Sequence, residues 1–262
     1  LLVHPMTDVR ARAKREKLTL RIGVKPLALF QYGVVSLLLI CSLALYTAQI
    51  WFGEKGFMGA FSMFDVGRED SLPTWFSAFN LMIAAILLSF IYLHSRANRT
   101  RNRHYWLALC LIFLALSIDE VASIHERMAS LQRYTGVKIA LIQTHAWLIY
   151  GAPLVVIFGA IMFPFLRRLP RTTAARFILA GTIFVGGAMG FEFVGAWMLH
   201  HGIAERGDFI YKVRRILEEG CEMYGIAIFN CALAGEIVRR QFALTLGFSG
   251  TSKTVKHLEV RN

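Results

Sequence analysis

Apolar residues fall into six long runs along this chain, at roughly 27–52, 74–95, 105–126, 143–166, 174–199 and 213–238. A hydrocarbon core about 30 Å thick takes roughly 20 residues of helix at 1.5 Å per residue, so each run predicts one crossing. The expected fold is all-α: a polytopic membrane helix bundle of six transmembrane helices. Short polar loops use up nearly all the remaining sequence, and no internal repeat or low-complexity linker interrupts it. Three regions follow: a basic segment at 1–26, a six-helix membrane domain at 27–240 and a tail at 241–262. The basic stretch ahead of the first run lacks an A-x-A-like cleavage site and reads as an anchor flank rather than a signal peptide.

Composition agrees, because 56% of the 262 residues are hydrophobic and the mean hydropathy is +0.50. Too few polar residues remain to cover the surface of a soluble domain of this size.

A net charge of +12 suggests nucleic acid until its distribution is read. Most of the 29 basic residues lie in four groups. One is Arg10, Arg12, Lys14, Arg15, Lys17, Arg21 and Lys25; the next is Arg96, Arg99, Arg101 and Arg103. The others are Arg167, Arg168, Arg171 and Arg176, then Arg239, Arg240, Lys253, Lys256 and Arg261. Six crossings bring all four groups to one side, which the positive-inside rule makes cytoplasmic, together with both termini. Of the 17 acids, only Asp8, Glu16, Glu236 and Glu259 share that side. The expected partners are therefore the bilayer and anionic lipids at the basic face, not nucleic acid. Cys41, Cys110, Cys221 and Cys231 sit inside apolar runs without a CxxC spacing and read as inert thiols.

Converting position to depth is the informative step. Counted outward from the basic ends, Asp119 and Glu120 lie roughly 21–22 Å up the third helix and Glu192 about 24 Å up the fifth. Glu222 is about 25 Å up the sixth, with Glu218 and Glu219 near 30 Å, as are His125 and Glu126. His145, placed at the start of the fourth helix, opens at the same level. Asn80 on the second helix is roughly 21 Å above His94. A carboxylate facing lipid costs at least about 2.5–3.5 kcal/mol near mid-membrane, so the deep ones are expected to face one another inside the bundle. Helical spacing agrees: Asp119, Ser123 and Glu126 share one face, as do Glu218 and Glu222. Gly220, Gly225, Gly186, Gly187 and Gly190 leave room for close helix approach nearby.

Carboxylates mixed with imidazoles, without cysteine, form the ligand set of iron, manganese or zinc. The candidate ligands are Asp119, Glu120, His125, Glu126, His145, Glu192, Glu218, Glu219 and Glu222. Arg127, Arg214 and Arg215 are the alternative source of compensation. His125 and Glu126 also fit a solvated helix end, and Glu218 and Glu219 fit first-turn acids that complement a helix dipole. His200 and His201 read as an exposed turn, His94 and His104 as surface residues. The loop at 53–73, with Phe57, Phe61 and Phe64, could cover the polar layer as a lid.

Pro73-Thr74-Trp75-Phe76-Ser77, Asp119-Glu120 with Ser123 and His125-Glu126, and Glu218-Glu219 with Glu222-Met223 and Gly225 resemble a widespread family of uncharacterised bacterial multi-pass membrane proteins. That resemblance spans about residues 60–235 and implies a bacterial inner-membrane protein, with no catalytic assignment. Three functions stay open. One is a periplasm-facing metal site, with a metal-dependent enzyme acting on a lipid or other apolar substrate as its catalytic form. The second is an ion- or proton-coupled transporter, disfavoured because the cytoplasmic halves offer little beyond Ser89, Thr182, Asn230 and Glu236. The third is an accessory subunit beside partner proteins in a larger membrane complex.

Overall fold

The computed structural model describes residues 18–19, 23–53, 62–124, 127, 136, 139–145, 147–241 and 245–246. Six helices in it are long and apolar enough to cross a membrane. They are α1 (Val24–Phe52), α2 (Leu72–Ala97), α3 (Arg103–Ala122), α4 (Leu148–Leu166), α5 (Arg171–His200) and α6 (Phe209–Arg239). Before α1 and after α6, β1 (Leu18–Thr19) and β2 (Thr245–Leu246) pair antiparallel, Leu18 opposite Leu246. An even number of crossings returns the chain to its starting side, and this short ladder ties the two flanking segments together there.

Local chemistry sets the helix starts. Ser71 caps α2, its Oγ accepting from the Thr74 amide at 3.3 Å, and Pro73 follows within the first turn. Pro26 likewise sits in the first turn of α1, where a missing N–H breaks no helical hydrogen bond.

Two expected boundaries are corrected. The third helix ends at Ala122, because Ser123 takes a left-handed conformation (φ 49°) that stops the ladder. Asp119 and Ser123 therefore do not continue one helical face toward Glu126. The fourth helix starts at Leu148, and His145 ends a separate 3-10 helix, Ala140–His145, instead of opening α4. His125, Glu126, Phe57 and Phe61 lie outside the described residues.

α2 and α6 form the buried centre; the other four helices wrap them and present apolar faces outward. Phe52 and Val156 are 81% and 71% exposed, as lipid-facing side chains are expected to be. Trp106, Phe165, Phe177, Phe229, Leu88 and Leu233 fill the core toward the arginine-rich end. α5 and α6 approach very closely: a Cβ on Gly225 would lie 2.8 Å from the Phe184 amide nitrogen. Gly187 is similarly pressed against α6, whereas Gly186 and Gly190 face open space. Those three glycines belong to a π-helical stretch, Gly186–Phe191, inside α5. A wide turn of this kind rotates the residues beyond it, and Glu192 is the first of them.

At the arginine-rich end, Glu236 is 1% exposed and joins α6 to α5. It accepts from Arg239 at 2.6 and 2.9 Å, from Arg240 at 2.8 Å and from the Thr173 hydroxyl of α5 at 3.3 Å. Arg240 also donates to Ser95 of α2 at 2.9 Å and lies over the Trp106 ring. A buried carboxylate is tolerated there because its lone pairs are met by guanidinium and hydroxyl donors. This end of the bundle is closed.

Candidate functional site: an acidic cavity at the opposite end

The deep acids expected to converge do so. Asp119 and Glu120 of α3, Glu192 of α5, and Glu218, Glu219 and Glu222 of α6 line one cavity of about 340 Å³. Each helix contributes for a local reason. Asp119 and Glu120 occupy the last turn of α3, just before Ser123 ends it. Glu192 leaves the π-helical stretch, and Gly187 lets α5 approach close enough that a Cβ there would meet Glu222 Cγ at 3.1 Å. Glu218 and Glu222 are one turn apart on α6, and Glu219 and Glu222 are at i, i+3.

The loop before α2 covers part of the chamber, because Val66, Gly67 and Glu69 line it as well. Tyr46 of α1 hydrogen-bonds Asp65, whose Oδ1 also accepts from the Gly67 amide at 2.8 Å. Ser123 donates to Glu69 Oε2 at 2.8 Å, joining the loop to the end of α3. Outside the chamber, Arg68 pairs with Asp70 at 2.8 Å and holds that carboxyl below its ordinary pKa.

The cations divide the work. Arg214 is 5% exposed and lies 2.7 Å from Glu218. It also donates to the Phe191 carbonyl at 2.6 Å and stacks over the Tyr211 ring. Arg215 lines the cavity and donates to the Gly67 carbonyl at 3.3 Å. Arg127 is exposed. Glu219 and Glu222 are half-buried on the cavity wall and have neither a hydrogen bond nor an ion pair among the described residues.

His145 stands beside this set rather than in the lining. Its Nε2 is 3.4 Å from Glu192 Oε2 and 3.3 Å from the Tyr211 hydroxyl. Burial, then the charges of Arg214, Arg206 and Arg215, push its pKa from 6.5 down to about 4. At neutral pH its contact with Glu192 is therefore that of a neutral imidazole, not an ion pair. His200 and His201 are exposed beyond α5, as expected, and His94 and His104 lie at the arginine-rich end.

Half of the cavity is apolar. Leu81, Leu116, Leu154, Val155, Phe184 and Met189 form its hydrocarbon side, and Trp147 folds back over Gly151 at the mouth of α4. Among the described residues, α4 makes no extended backbone contact with another membrane helix and packs through side chains such as Phe165 and Met162. Glu69, Trp147 and Tyr211 were not singled out from the sequence. Only Glu69 left a signal, as one of the acids of the first outer loop. The expected metal fares less well: among the described residues, no three of His, Cys, Asp and Glu are arranged to hold an ion. The carboxylates share a chamber wider than one coordination sphere.

No curated protein and no solved structure matches this chain. A family model described as a domain of unknown function (DUF8692) matches residues 32–235, from α1 almost to the end of α6, and the chain belongs to that family.

Proposed function

We propose that this protein binds a cation in the acidic cavity, and that the ligand is an amphiphilic organic cation, an ammonium group carrying a hydrocarbon chain. The observation that carries this reading is the pair Glu219 and Glu222, on the cavity wall without an ion pair or hydrogen bond to any described residue. Among the described lining residues, seven carboxylates face the chamber with one guanidinium, Arg215, while Arg214 behind them pairs with Glu218, an acidic excess that favours bound positive charge or protonation. The hydrocarbon side suits a chain, and a chamber of about 340 Å³ is of small-molecule size. The loose wall at α4 offers a route from the lipid phase. By the positive-inside rule the arginine-rich end faces the cytoplasm, with anionic lipids around it. The cavity then opens to the periplasm of a bacterial inner membrane, and both termini are cytoplasmic.

A divalent iron, manganese or zinc ion is the second reading, favoured by the carboxylate-rich donor set with His145 beside Glu192. It would require these side chains to close inward, and it would make the protein a candidate metal-dependent enzyme on an apolar substrate. Transport and an accessory role in a larger complex remain further uses of the same chamber.

The test is thermal stability of the detergent-purified full chain with hexyltrimethylammonium, and separately with Mn²⁺, Fe²⁺ or Zn²⁺. We expect the ammonium to raise the melting temperature of the native protein but not of the Glu219→Gln/Glu222→Gln variant. Stabilisation by a metal alone, with one or two equivalents found by mass spectrometry, would replace the first reading with the second. No shift with either cation class would overturn both.

A further inference from the structure

Midway between the cavity and the arginine-rich end, three amide side chains meet inside the bundle: Gln31 of α1, Asn80 of α2 and Asn230 of α6. All three are 0% exposed. Asn230 Nδ2 donates to the Asn80 backbone carbonyl and to Asn80 Oδ1, both at 3.0 Å. Gln31 Nε2 donates to the same Oδ1 at 2.5 Å. Both lone pairs of that oxygen are then used.

These contacts fix which end of each amide is which. The Asn80 backbone carbonyl can only accept, so the Asn230 atom facing it is nitrogen. The same nitrogen faces the Asn80 side chain, which must present oxygen, and that oxygen requires nitrogen from Gln31. No rotation of one amide satisfies the cluster better. Left with no partner among the described residues are one donor nitrogen, Asn80 Nδ2, and two acceptors, Gln31 Oε1 and Asn230 Oδ1, all buried, while Gln31 Nε2 keeps one further N–H.

We propose that this node binds a single water molecule. One donor and two acceptors are the complement of water, which gives two hydrogens and accepts one. Buried waters characteristically make about three hydrogen bonds to groups left unsatisfied in this way. An ammonium group or metal ion would face the Asn80 N–H, and an anion would face two carbonyl oxygens. The site lies about 12 Å along α6 below Glu222 and about 9 Å above Glu236. Leu81, next to Asn80, lines the cavity above. Hydration thus reaches the middle of the membrane, between two polar sites that the surrounding apolar side chains otherwise separate. This inference does not depend on what the cavity binds.

The experiment is a structure of the full chain at about 2 Å or better, crystallised from a lipid phase, paired with melting curves in sodium chloride and potassium chloride. One density peak within hydrogen-bonding distance of Asn80 Nδ2, Gln31 Oε1 and Asn230 Oδ1, with equal melting in both salts, is the expected result. The peak should be lost in Asn230→Leu. A peak with closer, more numerous oxygen ligands and melting stabilised by sodium would overturn water in favour of a cation. So would amides repacked to satisfy one another with no peak between them. If Asn230→Leu fails to fold, the native density and the salt comparison still decide.

Discussion

Arg214 and Glu218 lie 2.7 Å apart across one turn of α6, both about 95% buried, directly beside a chamber whose other carboxylates on that helix, Glu219 and Glu222, have no ion pair among the described residues. The pair separates a structural acid from two available ones. Removing Arg214 would leave a buried carboxylate uncompensated, which costs about 3–5 kcal/mol. Arg214→Met is therefore expected to unfold well below the native protein in detergent melts. Glu218→Gln should cost less, because Arg214 keeps the Phe191 carbonyl and the Tyr211 ring.

Two glycines, Gly225 at the α5–α6 contact and Gly181 on the exposed face of α5, give opposite expectations. A Cβ on Gly225 would lie 2.8 Å from the Phe184 nitrogen and 3.0 Å from the Ala180 carbonyl, backbone atoms that cannot swing aside. Gly225→Ala should destabilise by about 1–3 kcal/mol through overpacking. A Cβ on Gly181 would meet nothing within 4 Å. Gly181→Ala should then gain up to about 1 kcal/mol from helix propensity. Equal effects in thermal unfolding would contradict the close approach.

His145 sets a pH dependence. Its pKa is about 4 when folded and 6.5 ordinarily, so the unfolded chain binds the proton more tightly. The neutral imidazole's contribution is complete above pH 6.5 and is lost as pH falls toward 4. It amounts to about 3 kcal/mol at most. Comparing native protein with His145→Gln between pH 7 and 4 isolates this from the carboxylates. The stability gap between them should change over that window and stay constant above it.

At the closed end, Glu236 is 1% exposed, while the Arg239 side chain is 52% exposed and that of Arg240 15%. Glu236→Leu strands Arg240 among apolar groups and should cost about 3 kcal/mol. Arg239→Ala removes a largely hydrated partner and should change stability by no more than about 1 kcal/mol. Chemical denaturation of both variants checks the ranking.

Transport was weighed against a sparse polar content in the cytoplasmic halves, and the packing revises that content. Ser89 is half-buried and Thr182 exposed, so neither builds an interior path. Gln31, Ser95 and Thr173, not singled out from the sequence, are fully or nearly buried with polar partners. An amide or hydroxyl in a hydrophobic run has the same sequence signature whether it faces lipid, a neighbour or a cavity.

Crossing number, the arginine-rich end and the shared depth of Asp119, Glu120, Glu192, Glu218, Glu219 and Glu222 were legible in the sequence. Each follows from length, hydropathy and a fixed rise per residue, which act along one helix at a time. The left-handed turn at Ser123, the detachment of His145 from α4 and the π-helical stretch before Glu192 were not. Those depend on how far each helix is rotated about its axis and how closely its neighbours approach. Packing contacts between distant residues set both quantities, and one-dimensional periodicity does not record them.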